Sequence, residues 1–241
     1  MFDHVTIRAA DRIASRRFYE TVLAPLGQAT RQVELFDEWG DFSVAPVSEE
    51  HPLTRRLHVG FVARSREEVV AFWRAGVDAG FASDGEPGLR PEYHEDYYGG
   101  FLLDPDGNSA EAVYPGRPRE AGTNIDHLWI RVSDPEASER FYTTIAPVVG
   151  LSVREDSRWG VDVFAHDRSF TLLRGEPTAN VHIAFPAPND ATVREFHRAA
   201  VEAGYRDNGP PGERPIYHPG YYSAFVLDPD GNNIEAVNHN R

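Results

Sequence analysis

The chain has 241 residues, enough for one large domain or two ordinary ones, and 38 acidic against 24 basic residues leave a formal charge of −14. That acidity speaks against nucleic acid or an anionic membrane as the main partner, and the acids are spread along the chain as a soluble surface requires. No cysteine is present, so disulfides, thiolate metal sites and a cysteine nucleophile are excluded, and any metal must be held by nitrogen and oxygen.

The first residues, MFDHVTIRAAD, enter a strand-like alternation over Phe2–Ala9 without a signal-peptide core. No apolar run approaches the roughly 20 residues that span a bilayer, so a cytoplasmic location is expected. Asp11 is placed to cap a helix whose inner side carries Ala14, Phe18 and Val22, with Gly27 as its stop. Two strand-like segments follow, around Gln32–Phe36 and Asp41–Val47. The pattern then restarts: Leu57–Ala63 reads as a strand, Ser65 and Glu68 as a capping box, Val69, Phe72 and Val77 as a helix face, and Gly80 as its end. Further strands close the segment, joined by the turn signal Asp104-Pro105-Asp106-Gly107-Asn108. That turn lacks the spaced acids of an EF-hand and is read as turn chemistry.

All of this recurs. FDHVTIRAADRIASRRFYETVLAPLG at 2–27 aligns with IDHLWIRVSDPEASERFYTTIAPVVG at 125–150, an offset of 123. YHEDYYGGFLLDPDGNSAEAV at 93–113 aligns with YHPGYYSAFVLDPDGNNIEAV at 217–237, an offset of 124. Nearly the whole chain is therefore two copies of one unit, each of ordinary domain length, and each with an inner repeat of strand, helix and strands. The expected division is a domain at 1–115, a Pro- and Gly-rich linker at 116–124 and a second domain at 125–241.

The histidine-bearing first strand, the RRFYE helix, the second histidine-bearing strand and above all YHPGYY…LDPDGNNIEAV resemble the vicinal oxygen chelate superfamily, also called the glyoxalase, bleomycin-resistance and extradiol-dioxygenase superfamily. The resemblance covers about 2–113 and 125–238. It implies an α+β fold of two tandem domains, each of paired βαβββ units forming an open, curled, mixed sheet around a cavity that in many members holds a divalent metal.

Six of the ten histidines fall into repeat pairs: His4 with His127, His58 with His182, and His94 with His218. Glu111 pairs with Glu235. The strand histidines and the glutamates stand as single polar groups among apolar neighbours, and a buried carboxylate needs partners that a metal with two imidazoles supplies. A hydrogen-bonded core role is the other reading of the same residues. Two histidines and a carboxylate on three strands make a facial set that leaves positions open, as in non-haem iron(II) oxygenases, and zinc uses the same ligand types. His4, His58 and Glu111 are expected to converge in one half, and His127, His182 and Glu235 in the other, matching the extradiol pattern within one paired unit. Iron(II) or manganese(II) is favoured, with zinc, nickel or cobalt as alternatives. The further carboxylate of glyoxalase I members has no counterpart in Phe42-Ser43-Val44-Ala45 or Phe170-Thr171-Leu172-Leu173.

Around the metal set, His218 and Tyr222 are candidate catalytic groups, and His94, Tyr98 and Tyr221 candidate substrate-binding groups, because a Gly- and Pro-rich loop over a cavity is where such groups gather. Each tyrosine pair (97 and 98, 221 and 222) also fits plain strand alternation, with one ring inward and one outward. His166, 16 residues before His182, matches the acid–base histidine of extradiol members by its strand and spacing. A surface role beside Asp167 and Arg168 is the plainer reading of the same residue. Trp39 and Trp159 read as core or cavity lining. The functional expectation is a metal-dependent enzyme that chelates vicinal oxygens of a small substrate, most sharply a ring-cleaving dioxygenase. A glyoxalase-like lyase or isomerase, and a metal-free ligand-binding protein of the bleomycin-resistance type, stand beside it.

Overall fold

The computed structural model describes residues 1–117, 124–154, 160–165 and 168–240. The first repeat runs β1 (His4–Ala9), α1 (Arg12–Leu23), β2 (Arg31–Gln32), β3 (Asp37–Trp39), β4 (Phe42–Pro46), β5 (His58–Val62), α2 (Arg66–Asp78), β6 (Ser83–Leu89), β7 (Tyr98–Leu103) and β8 (Ser109–Tyr114). The second runs β9 (Ile125–Val132), α3 (Pro135–Ile145), β10 (Ser152–Arg154), β11 (Val161–Ala165), β12 (Arg168–Arg174), β13 (His182–Pro186), α4 (Asp190–Glu202), β14 (Asp207–Glu213), β15 (Tyr222–Leu227) and β16 (Asn233–Asn238). The strands form two eight-stranded open sheets, in the orders β14-β15-β16-β13-β1-β4-β3-β2 and β10-β11-β12-β9-β5-β8-β7-β6. Both are mixed, because β5 runs parallel to β8 and β13 parallel to β16 while the hairpins are antiparallel.

The chain divides into two compact units, one of Thr6–Leu128 and one of Met1–Val5 with Trp129–Arg241. These bounds follow the repeats except at the first strands, where each unit takes the opening residues of the other repeat. Local bonds fix both exchanges. Asp3 N–H donates to Ala184 O at 2.9 Å, which seats the start of β1 beside β13. In the other unit the Asp41 carboxylate accepts from Asn124 N and Ile125 N, and Asn124 Nδ2 donates to Trp39 O, which seats the start of β9.

The helix signals behave as capping chemistry requires. Asp11 accepts from Ile13 N and Ala14 N, and after α1 a short 3₁₀ turn ends at Gly27 with φ of 77°. Ser65 accepts from Glu68 N, but the Glu68 carboxylate reaches past the cap to Arg64 N, so only half of the expected capping box forms. The buried face of α2 is Val69, Phe72 and Gly76, and Val77, expected on that face, is exposed. The reason is close approach: a Cβ on Gly76 would lie 2.4 Å from Leu102 Cδ1, so helix and strand meet over the glycine. Similarly, α1 buries Ser15 beside Phe18 and Val22, with Ala14 only half-buried. The strand expected around Gln32–Phe36 shrinks to two residues. Trp39 lies in the core against Tyr19 and Phe42. Trp159 and His166 lie outside the described residues, as does most of the expected linker.

The Asp-Pro-Asp-Gly-Asn turn is structural. Asp104 accepts from Asp106 N, Asn108 N and Asn108 Nδ2, while Asn108 Oδ1 accepts from Leu57 N at 3.1 Å. One turn thereby ties the start of β8 to the start of β5. Behind it, Tyr19 donates to Asp104 at 3.0 Å, whereas the hydroxyl of its counterpart, Tyr142, is buried without a hydrogen-bond partner among the described residues. Tyr19→Phe should therefore cost about 1–3 kcal/mol, and Tyr142→Phe should be neutral or stabilising. Chemical denaturation of the two variants measures the difference, and equal losses would contradict this account of the turn.

Candidate metal centres

Parallel pairing of β5 with β8 places His58 opposite Ser109 and Gly60 opposite Glu111. Side chains at these alternate positions share one face. His58 Nε2 lies 3.0 Å from Glu111 Oε2. The third member is His127 of β9, whose Nε2 is 3.3 Å from both His58 Nε2 and Glu111 Oε2. The other unit repeats the geometry. β13 pairs with β16, His182 Nε2 is 3.0 Å from Glu235 Oε2, and His4 Nε2 is 3.1 Å from His182 Nε2 and 3.5 Å from Glu235 Oε2. In each trio one ligand atom per residue lies within 4.8 Å of the other two.

The six expected metal-site residues thus assemble into two trios, but with the first-strand histidines exchanged. His127 joins His58 and Glu111, and His4 joins His182 and Glu235. The expected grouping within each sequence half is corrected by strand order: β9 is the neighbour of β5, and β1 the neighbour of β13. The donor sets fit a divalent first-row ion. Each offers two imidazole nitrogens and one carboxylate at mutual contact, with no thiolate. Among the described residues no other cluster of this kind occurs.

Supporting groups orient the trios. Tyr97 donates to Glu111 Oε1 and Tyr221 to Glu235 Oε1, each at 2.8 Å. Strand alternation then turns Tyr98 and Tyr222 to the opposite face, where their rings lie under Arg66 and Arg194 at 5.3 and 5.8 Å. The candidate roles of Tyr98 in substrate binding and Tyr222 in catalysis are corrected accordingly. Tyr97, not singled out above its neighbour, occupies the inward place instead. His94 is exposed on its loop, where its Nδ1 accepts from Asp96 N. His218 is linked to the site indirectly, through a run of hydrogen bonds: His218 to His239 at 2.9 Å, His239 to Asp3 at 2.9 Å, and Asp3 to His4 Nδ1 at 2.8 Å. Sequence reading missed Asp3 and His239. The signal for Asp3 was present as the repeated Asp-His of residues 3–4 and 126–127, since Asp126 likewise lies 3.1 Å from His127 Nδ1. His239 has no counterpart in the first repeat, where the aligned residue is Pro115, so repetition could not reveal it.

Electrostatics in the two trios follow from burial against pairing. Burial pushes Glu111 and Glu235 up, but hydrogen bonds from their histidines outweigh it, and both are held below the ordinary glutamate range. Burial lowers His58 despite Glu111. Burial also opposes charge on His127, yet hydrogen bonds to Asp126 and Glu111 overcome it and raise the group to about 9. The tyrosines above both glutamates are pushed up by burial and by the carboxylates they serve, so they remain donors.

The sequence profile of the Glyoxalase/Bleomycin resistance protein/Dioxygenase superfamily matches residues 124–236. The second repeat is a domain of that superfamily. The first repeat carries the same phrases at offsets of 123 and 124, so the chain is a tandem pair of such domains. Among solved structures, glyoxalase I from Zea mays is similar with a TM-score of 0.70 at 17% identity, over 99% of this chain and 92% of that one. A putative dioxygenase from Bacillus subtilis gives 0.65 at 14% identity, over 98% and 84%. A glyoxalase/bleomycin resistance protein from Albidiferax ferrireducens is 30% identical over 47% of this chain and 98% of that one, with a TM-score of 0.41. The first two likenesses establish the fold alone. Comparison with curated proteins finds no match. Among the described residues no helix is long and apolar enough to cross a membrane.

The raised His127 sets a pH dependence for the metal-free protein. A histidine raised in the folded state contributes stability that is complete below its unfolded value near 6.5 and is lost as pH rises through about 9. Melting temperatures of metal-stripped protein should fall across that window, and the fall should be absent in His127→Gln. A flat profile in the native sequence would contradict a protonated His127.

Proposed function

We propose that the protein is a divalent-metal-dependent enzyme acting on a small substrate through two neighbouring oxygens. The observation that carries this reading is the pair of two-histidine, one-glutamate trios at mutual ligand distance, each with its glutamate oriented by a tyrosine. A bound ion would supply Lewis acidity and a template for the substrate oxygens, and with iron(II) or manganese(II) it would leave room for dioxygen as well. Ring cleavage of a catechol-like substrate is therefore the sharpest form of the proposal. His4, His182 and Glu235 would hold the ion in one unit, and His58, His127 and Glu111 in the other. Tyr221 and Tyr97 each engage one oxygen of their glutamate, so that the other, Oε2, is the one that would be offered to an ion. Asp3 and Asp126 accept from Nδ1 of His4 and His127, which turns each Nε2 toward the other members of its trio as the atom that would bind the ion.

A glyoxalase-like lyase or isomerase is the second reading. It is favoured by the strand exchange, since the extradiol resemblance takes both histidines and the glutamate from one repeat, whereas each of these trios takes its first-strand histidine from the other repeat.

The deciding experiment begins with metal content of protein purified without added metal or chelator. The stripped chain is then reloaded with iron(II) and assayed aerobically on catechols, and in parallel with zinc, nickel or cobalt on α-hydroxycarbonyl adducts. Iron-dependent ring opening supports the dioxygenase, and turnover only with the other ions moves the lyase ahead. A chain that takes up no metal rejects both and leaves ligand binding of the bleomycin-resistance type. Glu235→Gln should lose the ion of its own trio while keeping the fold. If the glutamate served only as a hydrogen-bond partner, the change would alter stability by about 1–3 kcal/mol and leave metal content unchanged.

A further inference from the structure

The trios match in ligand type, but their surroundings differ at four aligned positions. In the unit of Thr6–Leu128, a Cβ on Gly60 would lie 2.3 Å from His127 Cε1, and one on Gly99 would lie 2.3 Å from Glu111 Oε1. The two glycines are what allow the imidazole and the carboxylate to settle against the backbone. Their counterparts, 124 residues on, are Ala184 and Ser223, which keep that Cβ. Ser223 shares a strand face with Phe225, which is directly opposite Glu235, so its hydroxyl stands on the ligand side. That hydroxyl is fully buried and has no hydrogen-bond partner among the described residues. An orphaned buried donor beside a ligand calls for an explanation, and a site that takes in a further oxygen provides one.

The groups behind the histidines differ as well. His58 Nδ1 lies 3.2 Å from Ser109 Oγ, and Ser109 donates to Asp84 at 2.7 Å, so an anion stands behind the ring. At the aligned positions His182 Nδ1 meets Asn233 at 2.8 Å, and Asn233 is bonded by Asn208 at 3.0 Å, two neutral amides. Asp126 backs His127, whereas Asp3 is shared between His4 and His239. Exposure runs in the same direction: the His58 and His127 side chains are 11% and 9% exposed, those of His4 and His182 25% and 15%. Carboxylates behind ligating histidines fix the rings, raise their basicity and strengthen metal binding, and the shell around a site controls its access to solvent.

We propose that the two trios play different parts. His58, Glu111 and His127 form a closed site that retains its ion. His4, His182 and Glu235 form an open site that exchanges its ion and admits substrate, with Ser223 facing the incoming oxygen. This rests on the reading that the trios bind metal. The residues that set the difference are Gly60 and Gly99 against Ala184 and Ser223, and Asp84 and Ser109 against Asn208 and Asn233.

The test uses the full chain stripped of metal and titrated with cobalt(II), followed by visible absorption and calorimetry. The loaded protein is then challenged with excess EDTA and cobalt release is timed. Two classes of one ion each are expected, differing by about 10–100-fold in affinity, with slow release from the tighter. His58→Ala should remove the tight class and His182→Ala the weak one. Asp84→Asn with Ser109→Asn, at an exposed and a half-buried position, should weaken only the tight class by about 10–100-fold, and Gly60→Ala should act in the same direction. Two ions of equal affinity and release rate, or loss of the tight class in His182→Ala, would overturn the division while leaving metal binding intact. Absence of any cobalt binding would instead overturn the metal reading and this inference with it.

Discussion

Two buried glutamates constrain everything around them. Glu111 and Glu235 are each 1% exposed on the last strand of a repeat, and an uncompensated carboxylate in such a place would cost several kcal/mol. Each is compensated by two imidazoles and a tyrosine hydroxyl, and those hydrogen bonds are what keep the groups ionised in spite of burial. The same contacts that make burial tolerable arrange three ligand atoms around one point. Stability and the proposed metal sites therefore draw on one set of atoms, and a divalent ion would take over from hydrogen bonds that already exist.

The scaffold that places these atoms is simple in its parts. The Asp-Pro-Asp-Gly-Asn turn ties the start of β8 to that of β5, and parallel register brings the glutamate level with a small residue and beside a histidine. The third member of each trio arrives by exchange, so each compact unit includes the opening residues of the other repeat's first strand. Because Asp41 holds the Asn124 and Ile125 amides in one unit, and the Asp3 amide is held by Ala184 in the other, the exchange is secured by bonds just before the histidine that depends on it.

The two repeats share their histidines and glutamate, while the surroundings of these residues differ. Charged or small residues back the trio of Glu111, while amides and an orphaned serine hydroxyl surround that of Glu235. The His218–His239–Asp3 run belongs to the second trio alone, because Pro115 occupies the place aligned with His239. Two copies of one trio thus stand in different surroundings, which is the ground for the proposed difference between them.

The amino-acid sequence by itself determined the repeat, the α+β class, the caps at Asp11 and Ser65, the turn at Asp104, and the identity of all six trio residues. Each of these is a local pattern or a matter of residue chemistry, and both are visible along the chain. Which histidine joins which glutamate was decided only by the tertiary structure, since strand order is set by long-range pairing that leaves no local periodicity. The inward tyrosine of each pair was undecided for a related reason: alternation says that Tyr97 and Tyr98 face opposite ways, but only packing of α2 against β7 says which way is in. His239 was invisible because it has no repeat partner and reaches the site through Asp3, a contact across 236 positions of chain.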